Sequence, residues 1–247
     1  MDLSIFTLLR PFGGEFGWIQ RNGIWSWLEL VPRPEVVLLD EVAGAAEVAD
    51  ELGVELYAVE RNEYGTALLN DAFARAAEVC AGDVLAFVSA DILLVGDFVQ
   101  AVEACAGEFE EFAAVARRRD VRLDGEIAFG PGWEVGVVRR AFEYGKWHTP
   151  LGIDVLVWRG DFWGEVPPFA VGRCAHDNWC VARALEAGVP VVDLTPAVTA
   201  IHQEHVGGHV RSGPEYERNR ALMGGLHAGV GDATWRMSAD RTRITRQ

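Results

Sequence analysis

The sequence predicts one α/β domain: a mostly parallel central sheet of Rossmann-like type with helices packed on its faces. Three observations carry this expectation. The 247 residues are 50% hydrophobic and 24% charged, which supplies one sizeable core and excludes a disordered or collagen-like chain. In the first half, short continuous apolar runs alternate with helical stripes, as strands buried on both faces of a parallel sheet do. No internal repeat and no long linker divides the chain.

The elements follow in order. Residues 5–9 read as a first strand, and the preceding Asp2 stands where a secretory leader would carry a basic residue. Residues 36–39 form the second strand and residues 44–52 a short helix. After the third strand, residues 56–59, Thr66 is the expected cap of an amphipathic helix whose apolar side is Leu68, Leu69, Ala72, Phe73, Ala76 and Ala77. Residues 84–88 complete a β-α-β-α-β unit with right-handed crossovers. Beyond Asp120, Gly125, Gly130, Pro131, Gly132 and Gly136 mark turns around short strands. A strand over 154–158, a turn at Pro167-Pro168, a helix over 177–187 stopped by Gly188 and Pro190, and strands over 191–194 and 198–201 complete the domain. The domain is expected to span 1–210, divided near 120, with 211–247 as a peripheral tail.

Lys and Arg number 22 against 37 Asp and Glu, a formal charge of −15 that repels a phosphate backbone and argues against a nucleic-acid partner. The apolar run 84–95 is interrupted by Asp91 and falls short of the ~20 residues a bilayer requires, so no membrane span is expected. Cys80, Cys105, Cys174 and Cys180 show no paired spacing; they read as reduced, and a cytoplasmic location is the expectation. The phosphate-loop, nucleophile-elbow and zinc-protease motifs are all missing.

The informative site is Ser89-Ala90-Asp91, where an apolar strand delivers a carboxylate to its C-terminal end, the ligand-binding edge of an open α/β sheet. Asp91 is thus placed either to hold a divalent cation on phosphate oxygens or to cap the next turn. Asp40 ends the second strand in the same way and either accepts hydrogen bonds from a base or ribose or belongs to an acidic surface run. Arg61 and Asn62 follow the third strand and enter the same rim.

With Arg61-Asn62-Glu63-Tyr64-Gly65-Thr66, the Ser89-Ala90-Asp91 strand end, Gly152-Ile153-Asp154-Val155, Pro167-Pro168-Phe169-Ala170-Val171-Gly172-Arg173, His176-Asp177-Asn178-Trp179 and Thr199-Ala200-Ile201-His202-Gln203-Glu204-His205, the chain resembles the GT-A nucleotide-sugar glycosyltransferases, in particular bacterial family-2-like members. The resemblance covers roughly residues 4–210, with 1–120 as the nucleotide-sugar half and 121–210 as the acceptor half. It implies transfer of a sugar from a nucleoside diphosphate donor, a UDP-sugar in a hexosyltransferase, to a small-molecule or glycan acceptor, with inversion and with Mn²⁺ or Mg²⁺ on the diphosphate.

Residue by residue, the resemblance makes Asp91 the last acid of an Asp-x-Asp metal motif whose first acid is replaced by Ser89. It makes His202, with His205 second, the late metal-binding histidine. Strand alternation puts His202 and His205 on opposite faces, so only one need face the pocket. Asp177 matches the base that takes the acceptor proton, kept ionised by its helix N-terminus; the same position suits an ordinary capping aspartate. Asp40, Arg61, Asn62 and Ser89 are the remaining donor-side candidates. Asp154, Trp158, Arg173 and Trp179 are acceptor-side candidates, although Arg173 can equally clamp Asp154 or Asp177 and tryptophans commonly fill core. Two other readings stay open. A nucleotidyltransferase finds a faint echo in Arg10-Pro11-Phe12-Gly13-Gly14, and a catalytically idle sugar- or nucleotide-binding module is kept alive by Ser89.

Overall fold

The computed structural model describes residues 1–205 and 212–247. The domain boundary expected at 210 and the glycine-rich start of the tail fall on residues 206–211, outside the described residues.

The expected β-α-β core is present: β1 (Leu3–Leu8), β2 (Glu35–Leu39), α2 (Ala45–Leu52), β3 (Glu55–Tyr57), α3 (Leu69–Val79) and β4 (Val84–Val88). Strands β4, β1, β2 and β3 lie side by side and parallel. Beyond β4 the sheet continues through β9 (Val155–Arg159), β6 (Phe112–Val115) and β10 (Val191–Asp193), with β9 antiparallel to both neighbours. The second half of the chain therefore inserts strands into the sheet begun by the first. Burial follows the strand alternation. Ile5, Leu38, Val84 and Ala86 pack under α1 (Gly14–Leu28) and α4 (Asp97–Glu108) on one face. Phe6, Val37, Leu39 and Trp158 pack under α3 and α6 (His176–Ala187) on the other.

A second, four-stranded sheet runs β5 (Ile92–Leu93), β11 (Ala200–Gln203), β7 (Arg118–Val121), β8 (Lys146–Trp147). It packs against α5 (Trp133–Tyr144) through Leu93, Val121, Ile201, Val137 and Ala141.

The structure departs from expectation at several places. The last expected strand begins at Ala200 and belongs to the small sheet. Thr66 does not cap α3: Leu68 stays extended in a bridge to Ala170, and the helix starts one residue later. The tail is not peripheral. Its α7 (Pro214–Leu222) buries Glu215 and Asn219, and β12 (Trp235–Met237) and β13 (Ile244–Arg246) extend the main sheet from β10. Its polar sequence hid this, because edge strands and a helix held by side-chain amides need few apolar residues.

Helix α1 was not legible in the sequence, since Gly14, Gly17 and Gly23 weaken its helical signal. Gly23 has a packing reason: a Cβ there would collide with the Ala90 carbonyl oxygen. The close approach lets Trp27 Nε1–H donate to the Ile92 carbonyl at 3.0 Å and Ser26 Oγ accept the Leu94 N–H at 3.1 Å. Gly23→Ala is therefore expected to reverse the usual helix-propensity gain. Overpacking of ~1–3 kcal/mol should lower Tm by about 2–10 °C in a domain of this size; a thermal melt showing a raised Tm would contradict this packing.

Candidate functional site

A cavity of about 840 Å³ opens where β1 and β4 end, walled on its far side by the small sheet, the start of α6 and Tyr216 of α7. Asp91 sits in the turn between β4 and β5, closed by the Ile92 N–H on the Ser89 carbonyl at 3.0 Å. Strand pairing then assembles its neighbours. Strand β11 lies between β5 and β7, so His202 stands opposite Ile92 on one side and Asp120 on the other. His202 Nε2 comes within 3.5 Å of Asp91 Oδ2, and its Nδ1 lies 3.0 Å from Asp120 Oδ1.

His205 also faces Asp91, its Nε2 3.4 Å from Oδ2, with its ring against Phe16 at 4.7 Å between centroids. The expectation of opposite-facing histidines thus fails for a geometric reason: β11 ends at Gln203 and alternation no longer governs residue 205.

These contacts set the protonation states. Burial disfavours the charge on Asp91, but the two imidazoles outweigh it and hold the carboxyl well below its ordinary range. Asp120 is lowered likewise: His202, Arg118 and His148 overcome its desolvation. Burial pushes His202 down, yet Asp120 and Asp91 carry it up to about 9.

One carboxylate oxygen and two imidazole nitrogens within 4.8 Å of one another form a set that fits a divalent cation. Among the described residues Asp91 Oδ1 is buried without a hydrogen-bond partner.

Asp177, Asp154, Ser89 and Arg173 line the same cavity as Asp91, His202 and His205. Asp177 lies in the first turn of α6, where it accepts the N–H groups of Ile153 at 3.3 Å and Asn178 at 3.0 Å. Its carboxyl is nevertheless raised, because desolvation and the nearby Asp154 outweigh His176 and the backbone donors. The expected lowering by the helix N-terminus is therefore overturned by burial. Asp154 is held by Arg118 Nη1 at 2.5 Å and by Ser89 Oγ at 3.2 Å. Arg173 clamps neither Asp154 nor Asp177: it pairs with Glu215 at 2.7 Å and donates to Thr66 Oγ1 at 3.3 Å.

Other expected residues stand outside this lining. Asp40 is buried and bound by Arg61 where β2 and β3 end. Asn62 gives its amide to Glu215 at 2.7 Å, and its carbonyl accepts the Tyr64 and Thr66 N–H groups, building its own loop. Trp158 stacks on Phe73, and Trp179 packs on Phe169, both within the core.

Sequence reasoning missed Arg118, Asp120 and His148, which line the cavity together with Arg10 of the Arg10-Pro11-Phe12-Gly13-Gly14 segment. A signal existed for Arg118 and Asp120: after the apolar run 112–116, alternation puts both on one face and Arg119 on the other.

No family model matches the chain, and no curated protein matches it in sequence. Solved structures match in fold. S. aureus TarS 1–349 in complex with UDP-GlcNAc aligns with a TM-score of 0.61 and 14% identity over 90% of this chain and 65% of that one. GalNAc-T7 with UDP, GalNAc and Mn²⁺ aligns at 0.57 and 15% over 89% and 47%. The mannosyltransferase PcManGT from Pyrobaculum calidifontis, with GDP-Man and Mn²⁺, aligns at 0.52 and 15% over 84% and 58%. The chain spans less than two thirds of the length of each of these. The fold is of the GT-A type.

The His202 shift predicts a pH dependence of stability in the metal-free protein. The folded value of about 9 lies above the ordinary ~6.5 of histidine, so the stabilisation is complete below that ordinary value and is lost as pH rises through the folded one. Denaturation midpoints in EDTA should fall across this window, and His202→Gln should flatten the decline. An equally steep decline in His202→Gln would refute the assignment.

Proposed function

We propose that the chain is an inverting glycosyltransferase that moves a sugar, a hexose from a UDP-sugar, to a hydroxyl of a small-molecule or glycan acceptor with a divalent cation. One observation carries this reading: the Asp91-His202-His205 cluster and Asp177 share one cavity at the C-terminal edge of a GT-A sheet. The solved relatives in fold that bind UDP-GlcNAc or GDP-Man add support.

In this reading Asp91, His202 and His205 would hold the cation. When bound, it supplies positive charge against the donor diphosphate and so stabilises the leaving group. Ser89, hydrogen-bonded to Asp154, replaces the first acid of the metal motif, so the cation's charge is offset by a single ligating carboxylate. This leaves more of that charge to the diphosphate.

Asp177 accepts the acceptor O–H proton as the oxygen attacks the anomeric carbon from the side opposite the leaving group. The bond from that carbon to the diphosphate oxygen breaks, and the nucleoside diphosphate leaves with the electron pair. The burial that raises the Asp177 pKa strengthens it as a base. Asp154 and Arg173, fixed by Arg118 and Glu215, shape the acceptor side. The Asp40–Arg61 pair and Asn62 act in this reading by shaping the donor-side wall from behind. The cytoplasmic placement belongs to the same proposal and rests on the four unpaired-looking cysteines, while no described helix is long and apolar enough to cross a membrane.

Candidate nucleotide sugars incubated with Mn²⁺ should release nucleoside diphosphate. Release of pyrophosphate from a nucleoside triphosphate would point to a nucleotidyltransferase, and absence of any turnover with tight donor binding to a binding module. Asp91→Asn should weaken Mn²⁺-dependent donor binding by more than about 100-fold. Unchanged affinity by calorimetry would remove the metal assignment. Asp177→Asn should leave donor binding within about twofold while kcat falls by ~10²–10⁴; retained transfer would remove the base and reopen a retaining mechanism.

A further inference from the structure

Asp120 occupies an unusual position for a residue that does not reach Asp91 itself. One of its carboxylate oxygens lies 2.8 Å from Arg118 Nε and 3.0 Å from His202 Nδ1, and the other lies 2.7 Å from His148 Nδ1. Arg118, 4% exposed, continues to Asp154 on its far side. The carboxylate is thus fixed by a buried guanidinium and shared between two imidazoles.

The ring of His202 has two nitrogens with different tasks. Nε2 faces Asp91 and Nδ1 faces Asp120. A carboxylate beside Nδ1 favours the tautomer with its proton there, which leaves the Nε2 lone pair for a cation, fixes the ring plane and raises ligand basicity. The contact is close but bent, since among the described residues Nδ1 has no well-aligned hydrogen bond.

We infer that Asp120 is a positioning residue for the metal centre, holding His202 with Nε2 directed at the cation, so that the acid missing at Ser89 is replaced by one acting through an imidazole. The inference rests on the cation reading of the Asp91-His202-His205 cluster. It is independent of which sugar is transferred and of whether Asp177 is the base. The strand register alone places Asp120 beside His202, so the contact is built into the fold rather than into a loop.

The test is Mn²⁺ affinity of the full chain without donor, measured by isothermal titration calorimetry and by loss of the free Mn²⁺ EPR signal. Asp120→Asn, which keeps the shape and weakens the acceptor, should raise Kd about 10-fold, and Asp120→Ala up to about 100-fold. His148→Gln removes the other imidazole on the same carboxylate and should leave Kd within about twofold. Should Asp120→Asn not fold, Asp120→Glu retains the charge beside Arg118 while displacing the oxygens from His202, and is expected to weaken Mn²⁺ by a similar factor. Wild-type binding with unchanged Kd in a folded Asp120 variant, even one with a lowered Tm, overturns the inference. So does an equal loss in His148→Gln. No Mn²⁺ binding by the wild type overturns the metal reading itself and this inference with it.

Discussion

The site depends on Gln203, whose fully buried side chain ties three segments together. Its amide nitrogen donates to the Ile19 carbonyl at 2.9 Å and the Asp91 carbonyl at 3.2 Å, while its carbonyl accepts from Asn22 at 2.9 Å. Its backbone N–H also reaches the Asp91 carbonyl, at 3.1 Å. Helix α1, the turn carrying Asp91 and the strand carrying His202 are thus fixed by one amide with every polar atom satisfied. A buried amide left partly unpaired would cost ~1–3 kcal/mol, so this register tolerates little slippage. The hydrophobic core sets the large sheet; this polar junction sets the distance between Asp91 and His202.

Around that junction the charges form a compensated array. Asp91, Asp120 and Asp154 are interleaved with His202 and Arg118. Removing one member of such an array leaves its partner charged in a poorly solvated place, which costs more than the pair contributes. The arrangement also explains why Asp91 stays ionised despite burial, whereas Asp177, where desolvation and Asp154 outweigh His176, shifts upward. Two carboxyl groups in one cavity are thereby driven apart in acidity, one suited to holding positive charge and the other to taking a proton. Backbone conformation contributes as well. Ala175, immediately before α6, has φ 82° without being glycine, a strain of about 1–3 kcal/mol held in place by the surrounding packing just where Asp177 is presented to the cavity.

The legible parts of the sequence were those governed by local periodicity. The runs that became β1, β2 and β4 and the stripe of α3 were visible because burial on a sheet face repeats within a few residues. The rim positions of Asp91 and Asp177 followed from strand ends and a helix start. What was hidden is non-local. Helix α1 goes unassigned in the sequence because Gly23 serves a contact with residue 90, not helix propensity. Asp40 is left between a ligand and a surface acid because nothing local reveals that Arg61, in the loop after β3, binds it. Trp158 and Trp179 carry no mark distinguishing a sugar platform from a core aromatic; the packing on Phe73, 85 residues away, and on Phe169, one loop away, appears only in the fold.

The same non-locality explains how a chain with Ser89 in place of an acid can still build a cation site. In a loop motif, two carboxylates are placed by their spacing along the chain. Here the second carboxylate, Asp120, comes from β7 and is placed by the pairing of β7 with β11. The carboxylate that a short motif would supply directly acts instead through His202, and Ser89 is freed to bond Asp154 at the end of the neighbouring strand. Such an exchange is possible only where the small sheet brings the strands on both sides of β11 to the metal cluster. The two-residue strand β5 and the short β11 therefore matter beyond their length: without β11 between β5 and β7, Asp91 and Asp120 would have no common histidine.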